Sequence, residues 1–232
     1  MIVSHKHKFI FIKTRKTAGT SVEIALSEFC GEGDIITPIS EADEKARVSM
    51  GFRGAQNFLV PKEFHSRLEW YCAPVMNSRK RFYNHMPAIQ VKKYVGEKIW
   101  DSYFKFTIER TPLDKCLSLF HYLGGEDKFG AFDSFIESGN MAGCIDFEKY
   151  SKGGVLIVDR VIRYDKLGEE LGKVGEKVGL PRPLRLPEYQ AKSGFRKKSK
   201  REVAPISDKT RAQIATAFAR EIRLFDFKIQ GE

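Results

Sequence analysis

Phe9-Ile-Phe-Ile-Lys-Thr-Arg-Lys-Thr-Ala-Gly-Thr-Ser21 is the stretch that decides how this chain reads. Its first part, Lys8 to Lys13, is apolar at successive positions, the pattern of a central parallel strand covered by helices on both faces. Its second part sets Gly, Ser and Thr at the passage into a helix, read over Ala18 to Leu26. A helix N-terminus leaves backbone N–H groups unpaired and carries the positive end of the macrodipole, so an oxyanion placed there is held. Gly19 permits close backbone approach, and Lys16, Thr17, Thr20 and Ser21 add an ammonium and hydroxyls around the same point. The turn is expected to grip a phosphate or sulfate group, although a capped helix after a strand would satisfy the same letters. It is not a Walker A loop: there the lysine follows two glycines, whereas Lys16 precedes the single Gly19.

The device recurs further along. Tyr103 to Ile108 reads as a second buried strand, and Glu109-Arg-Thr-Pro112 leads into a helix, Leu113–Leu123, that Gly124 and Gly125 stop. Pro87 to Val95 forms a short helix before Gly96. Val155–Tyr164 is β-branched and suits a third strand, while Leu167, Leu171, Val174 and Val178 fall on one helical face. Ser207 caps a last helix with Ile214, Phe218, Ile222 and Phe225 as its buried stripe. Residues 31–62 read as mostly irregular, and the segment from Pro61 to Met86 shows no sustained period. The alternation of β and α predicts a three-layer α/β fold, a mostly parallel central sheet flanked by helices, in one domain over residues 1–232.

The chain of 232 residues is 42% hydrophobic, enough for one sizeable core. Its 40 Lys and Arg exceed 30 Asp and Glu, and the net charge of +10 draws anions without choosing among nucleotide, nucleic acid, membrane surface and acidic substrate. Cys30, Cys72, Cys116 and Cys144 are widely spaced, which indicates free thiols rather than a zinc site or a disulfide framework. No apolar run approaches the ~18 residues of a membrane span, and the first residues lack an h-region. A soluble, cytoplasmic protein is expected.

The order Lys16-Thr-Ala-Gly-Thr-Ser21 after a buried strand resembles the 5′-phosphosulfate loop of sulfotransferases that use 3′-phosphoadenosine 5′-phosphosulfate, PAPS. Arg110-Thr-Pro-Leu-Asp-Lys-Cys-Leu-Ser118-Leu-Phe120 is similar to that family's 3′-phosphate pattern R-x-P-x-x-R-x-x-S-x-[YF], with Lys115 in place of the usual Arg. Arg163-Tyr-Asp-Lys-Leu167 resembles the family's R-Y-E-D-L segment, and the helix ending Ile-Arg-Leu-Phe-Asp-Phe227 its closing region. The likeness touches residues 9–26, 85–123, 160–180 and 187–227, leaving 31–84 and 124–155 for acceptor specificity. It implies a P-loop NTPase-like sulfotransferase fold, a cofactor PAPS with product PAP, and no metal.

The resemblance further implies roles. Lys16 would stabilise charge on the bridging oxygen, with Lys13 and Arg15 as second choices. The amides and side chains of Arg15, Lys16, Thr17, Ala18, Gly19, Thr20 and Ser21 would cradle the phosphosulfate. Arg110 can fork two hydrogen bonds onto a phosphate, and Ser118, about two helical turns on, can reach the same group. Tyr164 would border the cofactor, and Ser193, Gly194 and Arg196 in the basic stretch 192–201 would fold over it. A hydroxyl acceptor loses a proton as it attacks, so a general base is needed; His85 in Tyr83-Asn-His-Met-Pro87 is the candidate, with His65 and Glu63 as rivals. His5, His7 and His121 rank lower. A small-molecule or carbohydrate acceptor is expected, with no nucleic acid and no membrane as partner. Alternatives are a P-loop-type kinase and a basic nucleic-acid-binding protein.

Overall fold

In the computed structural model, residues 1–65, 80–187 and 206–228 are described. The quoted stretch yields strand β2, Phe9–Phe11, in the middle of a five-stranded sheet. Its neighbours are β1, Ile2–Ser4, and β4, Phe104–Glu109; β3, Ile35–Ile36, lies outside β1, and β7, Arg160–Arg163, lies outside β4. Strands β5, Ser151–Lys152, and β6, Val155–Leu156, make a separate hairpin.

The expectation of a mostly parallel sheet is wrong. β2 with β4 and β4 with β7 are parallel, but β1 runs antiparallel to both β2 and β3. The sheet is small and mixed, flanked by helices, and the parallel P-loop NTPase-like sheet is not what this chain forms. The reason is local. A connection as short as His5–Lys8 can close only an antiparallel hairpin, since a parallel return needs a crossover of a dozen residues or more. Asp34 secures the turn by accepting from the His5 and Lys6 amides at 2.7 and 3.0 Å and from the Ser4 hydroxyl at 2.8 Å.

Side chains along β2 alternate between two cores, as a period of two requires. Phe9 and Phe11 pack with Val22, Ala25 and Leu26 of helix α1, Gly19–Ser27, and with Leu167, Leu171 and Val174 of the helix Leu167–Lys177. Ile10 and Ile12 face Val91, Tyr94 and Val95 of the helix Ala88–Val95, together with Trp100 and Tyr150. A third cluster joins Cys116 and Phe120 of the helix Pro112–Tyr122 to Phe132, Phe135, Ile214 and Phe218.

Residues 31–62, read as irregular, contain a second helix, Glu41–Ser49, whose cap Ser40 accepts the Asp43 amide. The last helix is two, Asp208–Ala217 and Ala219–Phe225, meeting at Phe218. Cys30, Cys116 and Cys144 are free and buried, and Cys72 lies outside the described residues. Among the described residues no helix is long and apolar enough to cross a membrane.

Candidate functional site

The three mutually parallel strands end on one edge of the sheet. Phe11 is level with Phe106, and Glu109 with Arg163, so the residues after β2, β4 and β7 emerge side by side. In open α/β sheets that carboxyl edge is where ligands settle. The Ile12 amide bonds the Phe106 carbonyl at 2.9 Å, and the Thr14 hydroxyl donates to the Ile108 carbonyl, which pins the start of the anion turn to β4.

Inside the turn, Lys16 and Ala18 take left-handed backbone conformations, with φ of 60° and 57°. Such a conformation costs a non-glycine residue about 1–3 kcal/mol and persists where its surroundings over-determine it. Alternating turns of this kind aim successive N–H groups into one concavity. Ala18, the cap of α1, has no side chain with which to cap it, and the first turn carries no acidic residue. Thr20 and Ser21 lie half-buried in that turn.

Two side chains of the turn do not point where the sequence suggested. Thr17 is buried, its hydroxyl 3.0 Å from that of Thr14 and 3.2 Å from the Thr14 carbonyl, because the left-handed residues on either side rotate it inward. Arg15 turns away to the Gly143 carbonyl at 2.8 Å. Lys13 is also spent: its buried ammonium bonds Glu23 at 2.8 Å. Burial pushes the Glu23 carboxyl up, but Lys13 and the Met1 amino group outweigh it and hold the pKa at about 2. Gly19 serves this pair as much as any ligand, since a Cβ there would lie 2.8 Å from Lys13 Cγ and 3.3 Å from the Thr14 carbonyl.

Lys16 reaches across to the neighbouring helix. Its ammonium stands 4.0 Å from the centroid of the Tyr122 ring, on the helix Pro112–Tyr122. Ser118 is one turn before Tyr122, and residues at that spacing share a helical face. The same helix opens after Arg110, whose guanidinium lies 4.5 Å from the centre of the Tyr164 ring. Arg110 and Tyr164 thus meet at the ends of neighbouring strands β4 and β7, and Asp114 sits 4.0 Å from the Arg110 Nε.

Lys115, at the position of the pattern's second Arg, is fully buried and bonds Glu109 at 2.6 Å. Burial alone would lower its pKa, yet the carboxylates of Glu109 and Asp146 raise it above the ordinary lysine value. Tyr150 donates to the other Glu109 oxygen at 3.0 Å.

His85, also left-handed at φ 61°, comes to the anion turn from the other side of the sheet. Its Nδ1 lies 3.2 Å from the Lys13 carbonyl, which can only accept, so Nδ1 carries the proton and Nε2 keeps the lone pair. Burial, then the Lys13 ammonium, lower its pKa to about 3, and the ring is neutral at physiological pH. Of six non-glycine residues with positive φ among the described residues, Lys16, Ala18 and His85 fall within this one site, so backbone strain is concentrated there. The rival His65 turns to the Val60 carbonyl of its own segment at 3.3 Å, and Glu63 sits in the turn Lys62–Phe64. His5 bonds Tyr103 on the opposite edge of the sheet. Ser193, Gly194 and Arg196 lie outside the described residues.

The sequence reading missed Asp146, which is buried and accepts the Arg15 amide while standing 3.6 Å from Lys115. It also missed Lys149, whose ammonium bonds the His85 carbonyl at 3.2 Å. Both sit in residues 124–155, where no motif draws the eye. Among the described residues no group of three or more His, Cys, Asp or Glu side chains is placed to hold a metal ion.

No family model matches the chain, and no solved structure does. A protein of Archaeoglobus fulgidus described as uncharacterized is 35% identical over 104 residues, which span 43% of this chain and 87% of that protein. At that identity and coverage, this chain belongs to the same family as the Archaeoglobus protein.

Proposed function

We propose that this protein is a PAPS-dependent sulfotransferase acting on a hydroxyl or amine of a carbohydrate or small-molecule acceptor in the cytoplasm. The observation that carries the reading is the gathering, on one sheet edge, of the strained turn with Lys16, the Arg110–Tyr164 stack and the helix bearing Ser118. The residues suit such a donor. The uncapped start of α1 offers N–H groups to an anion at one strand end, and Arg110 offers a planar donor fork at the next.

PAPS, when bound, supplies the sulfuryl group. The backbone from Ala18 to Ser21 with Lys16 would hold its 5′-phosphosulfate, and Arg110 with Ser118 its 3′-phosphate, bordered by Tyr164. Lys16, whose ammonium lies against the Tyr122 ring, can stabilise charge developing on a leaving oxygen. His85, neutral and with its Nε2 lone pair available, can take the acceptor's proton. A pKa near 3 makes it a weak base in the free protein. A bound polyanion would raise that pKa by stabilising the imidazolium, so basicity would rise when the site is loaded.

The test is sulfuryl transfer from PAPS to a panel of sugars and small alcohols or amines. Transfer by the native chain that falls on Lys16→Ala substitution supports the reading. Magnesium-dependent ATP turnover with no transfer from PAPS would point to a kinase instead.

A further inference from the structure

Asp146 lies where the sequence offers no motif, at the start of the short helix Phe147–Tyr150. Its side chain is fully buried, and a buried carboxylate is kept only where positive partners surround it. Here they come from three directions. The Arg15 backbone N–H donates to Oδ2, and Lys115 Nζ lies 3.6 Å from the same oxygen. Lys149 Nζ and the Arg15 guanidinium stand 3.8 and 4.0 Å from Oδ1.

Each partner belongs to a different part of the site. Arg15 immediately precedes the left-handed Lys16 in the anion turn. Lys115 stands on the helix that opens after Arg110 and bonds Glu109 at the end of β4. Lys149 holds the carbonyl of His85. We propose that Asp146 is a positioning residue, whose buried charge fixes the anion turn, the Arg110 junction and His85 in a single geometry. The inference rests on reading the turn as the phosphosulfate site.

A non-glycine residue at positive φ relaxes unless the chain around it is held, and the Asp146 bond to the Arg15 N–H restrains the Thr14–Arg15 peptide, one peptide before the left-handed Lys16. A neutral acceptor could make that bond. It could not also balance the buried Lys115 and the partly buried Lys149, whose pKa burial lowers while Asp146 opposes the fall. Asp146 thus has two separable tasks, accepting one amide and offsetting two ammonium groups.

Two substitutions separate them: Asp146→Asn keeps an acceptor oxygen and loses the charge, and Asp146→Ala loses both. Titration of the full chain with adenosine 3′,5′-bisphosphate should show binding by the native protein. Asp146→Ala should bind about tenfold or more weakly, well below its melting temperature, and Asp146→Asn should fall between. Hydrogen exchange at the Arg15 amide should be slow in the native protein and faster in Asp146→Ala. A purely structural role would lower the melting temperature and leave the affinity of folded protein intact, so native affinity together with native Arg15 exchange in either folded variant overturns the proposal. If Asp146→Ala does not fold, Asp146→Asn decides by the same two readings. If the native protein itself fails to bind, the sulfotransferase reading falls, and the Arg15 exchange rates alone then decide whether Asp146 positions the turn.

Discussion

Lys16 is held over the Tyr122 ring at 4.0 Å, an arrangement worth about 0.5–1 kcal/mol at an exposed site, enough to bias the side chain without fixing it. Lys16→Ala should lower kcat by about 10²–10³, the usual loss for one charge-stabilising donor, with a smaller effect on binding of the spent nucleotide. Steady-state kinetics beside calorimetry would separate the two. His85 gives a second residue-level expectation. With its pKa near 3, its ring protons should show no titration through the neutral range where an ordinary histidine changes charge, near pH ~6.5, in an NMR pH series. The linkage follows the sign of the shift: the unfolded chain binds a proton that the folded one refuses. This contribution to stability is therefore present above about pH 6.5 and is lost as the pH falls toward about 3, which denaturant melts across that window would register.

At the scale of elements, the anion turn and helix α1 are tied together beneath the surface by Lys13 and Glu23. Gly19→Ala would drive a methyl group to within 2.8 Å of Lys13 Cγ and disturb that pair, so it should lower unfolding stability by roughly 1–3 kcal/mol in denaturant melts. Lys115→Ala should cost more, about 3–5 kcal/mol, because it leaves Glu109 charged and buried without its ammonium. What could be read in the sequence follows the same division. The strand-to-helix junctions at Lys13–Gly19 and Glu109–Pro112 were visible because glycine, proline and hydroxyl residues punctuate them. The hairpin made by Ile2–Ser4 was not, because a three-residue strand has too little period to register and its partner choice depends on Asp34, far along the chain. Asp146 was equally hidden, since the charges it meets belong to residues 15, 115 and 149, and only the fold brings these together. The partners of the Thr17 hydroxyl and the Lys13 ammonium are hidden for a related reason. Letters show that a hydroxyl or an ammonium is present, and only backbone conformation decides which way it faces.

For the whole molecule, the mixed sheet alters the setting of the site without dispersing it. Antiparallel β1 and β3 extend one side of the sheet, while β2, β4 and β7 remain parallel and deliver their ends to one edge. A net charge of +10 draws polyanions to the molecule as a whole, so nucleotide affinity should fall as ionic strength rises and the screening length shortens. On the proposed function, the anion turn and the Arg110 junction together recognise a nucleotide phosphorylated at both its 5′ and 3′ positions. Calorimetric titration of the native protein and Arg110→Ala with adenosine 3′,5′-bisphosphate and with adenosine 5′-monophosphate decides between this and a generic anion site. Tight binding of the bisphosphate by the native protein, far weaker binding of the monophosphate, and loss of that preference in Arg110→Ala are expected. Equal affinity of the native protein for both nucleotides, or binding of neither, would overturn that recognition.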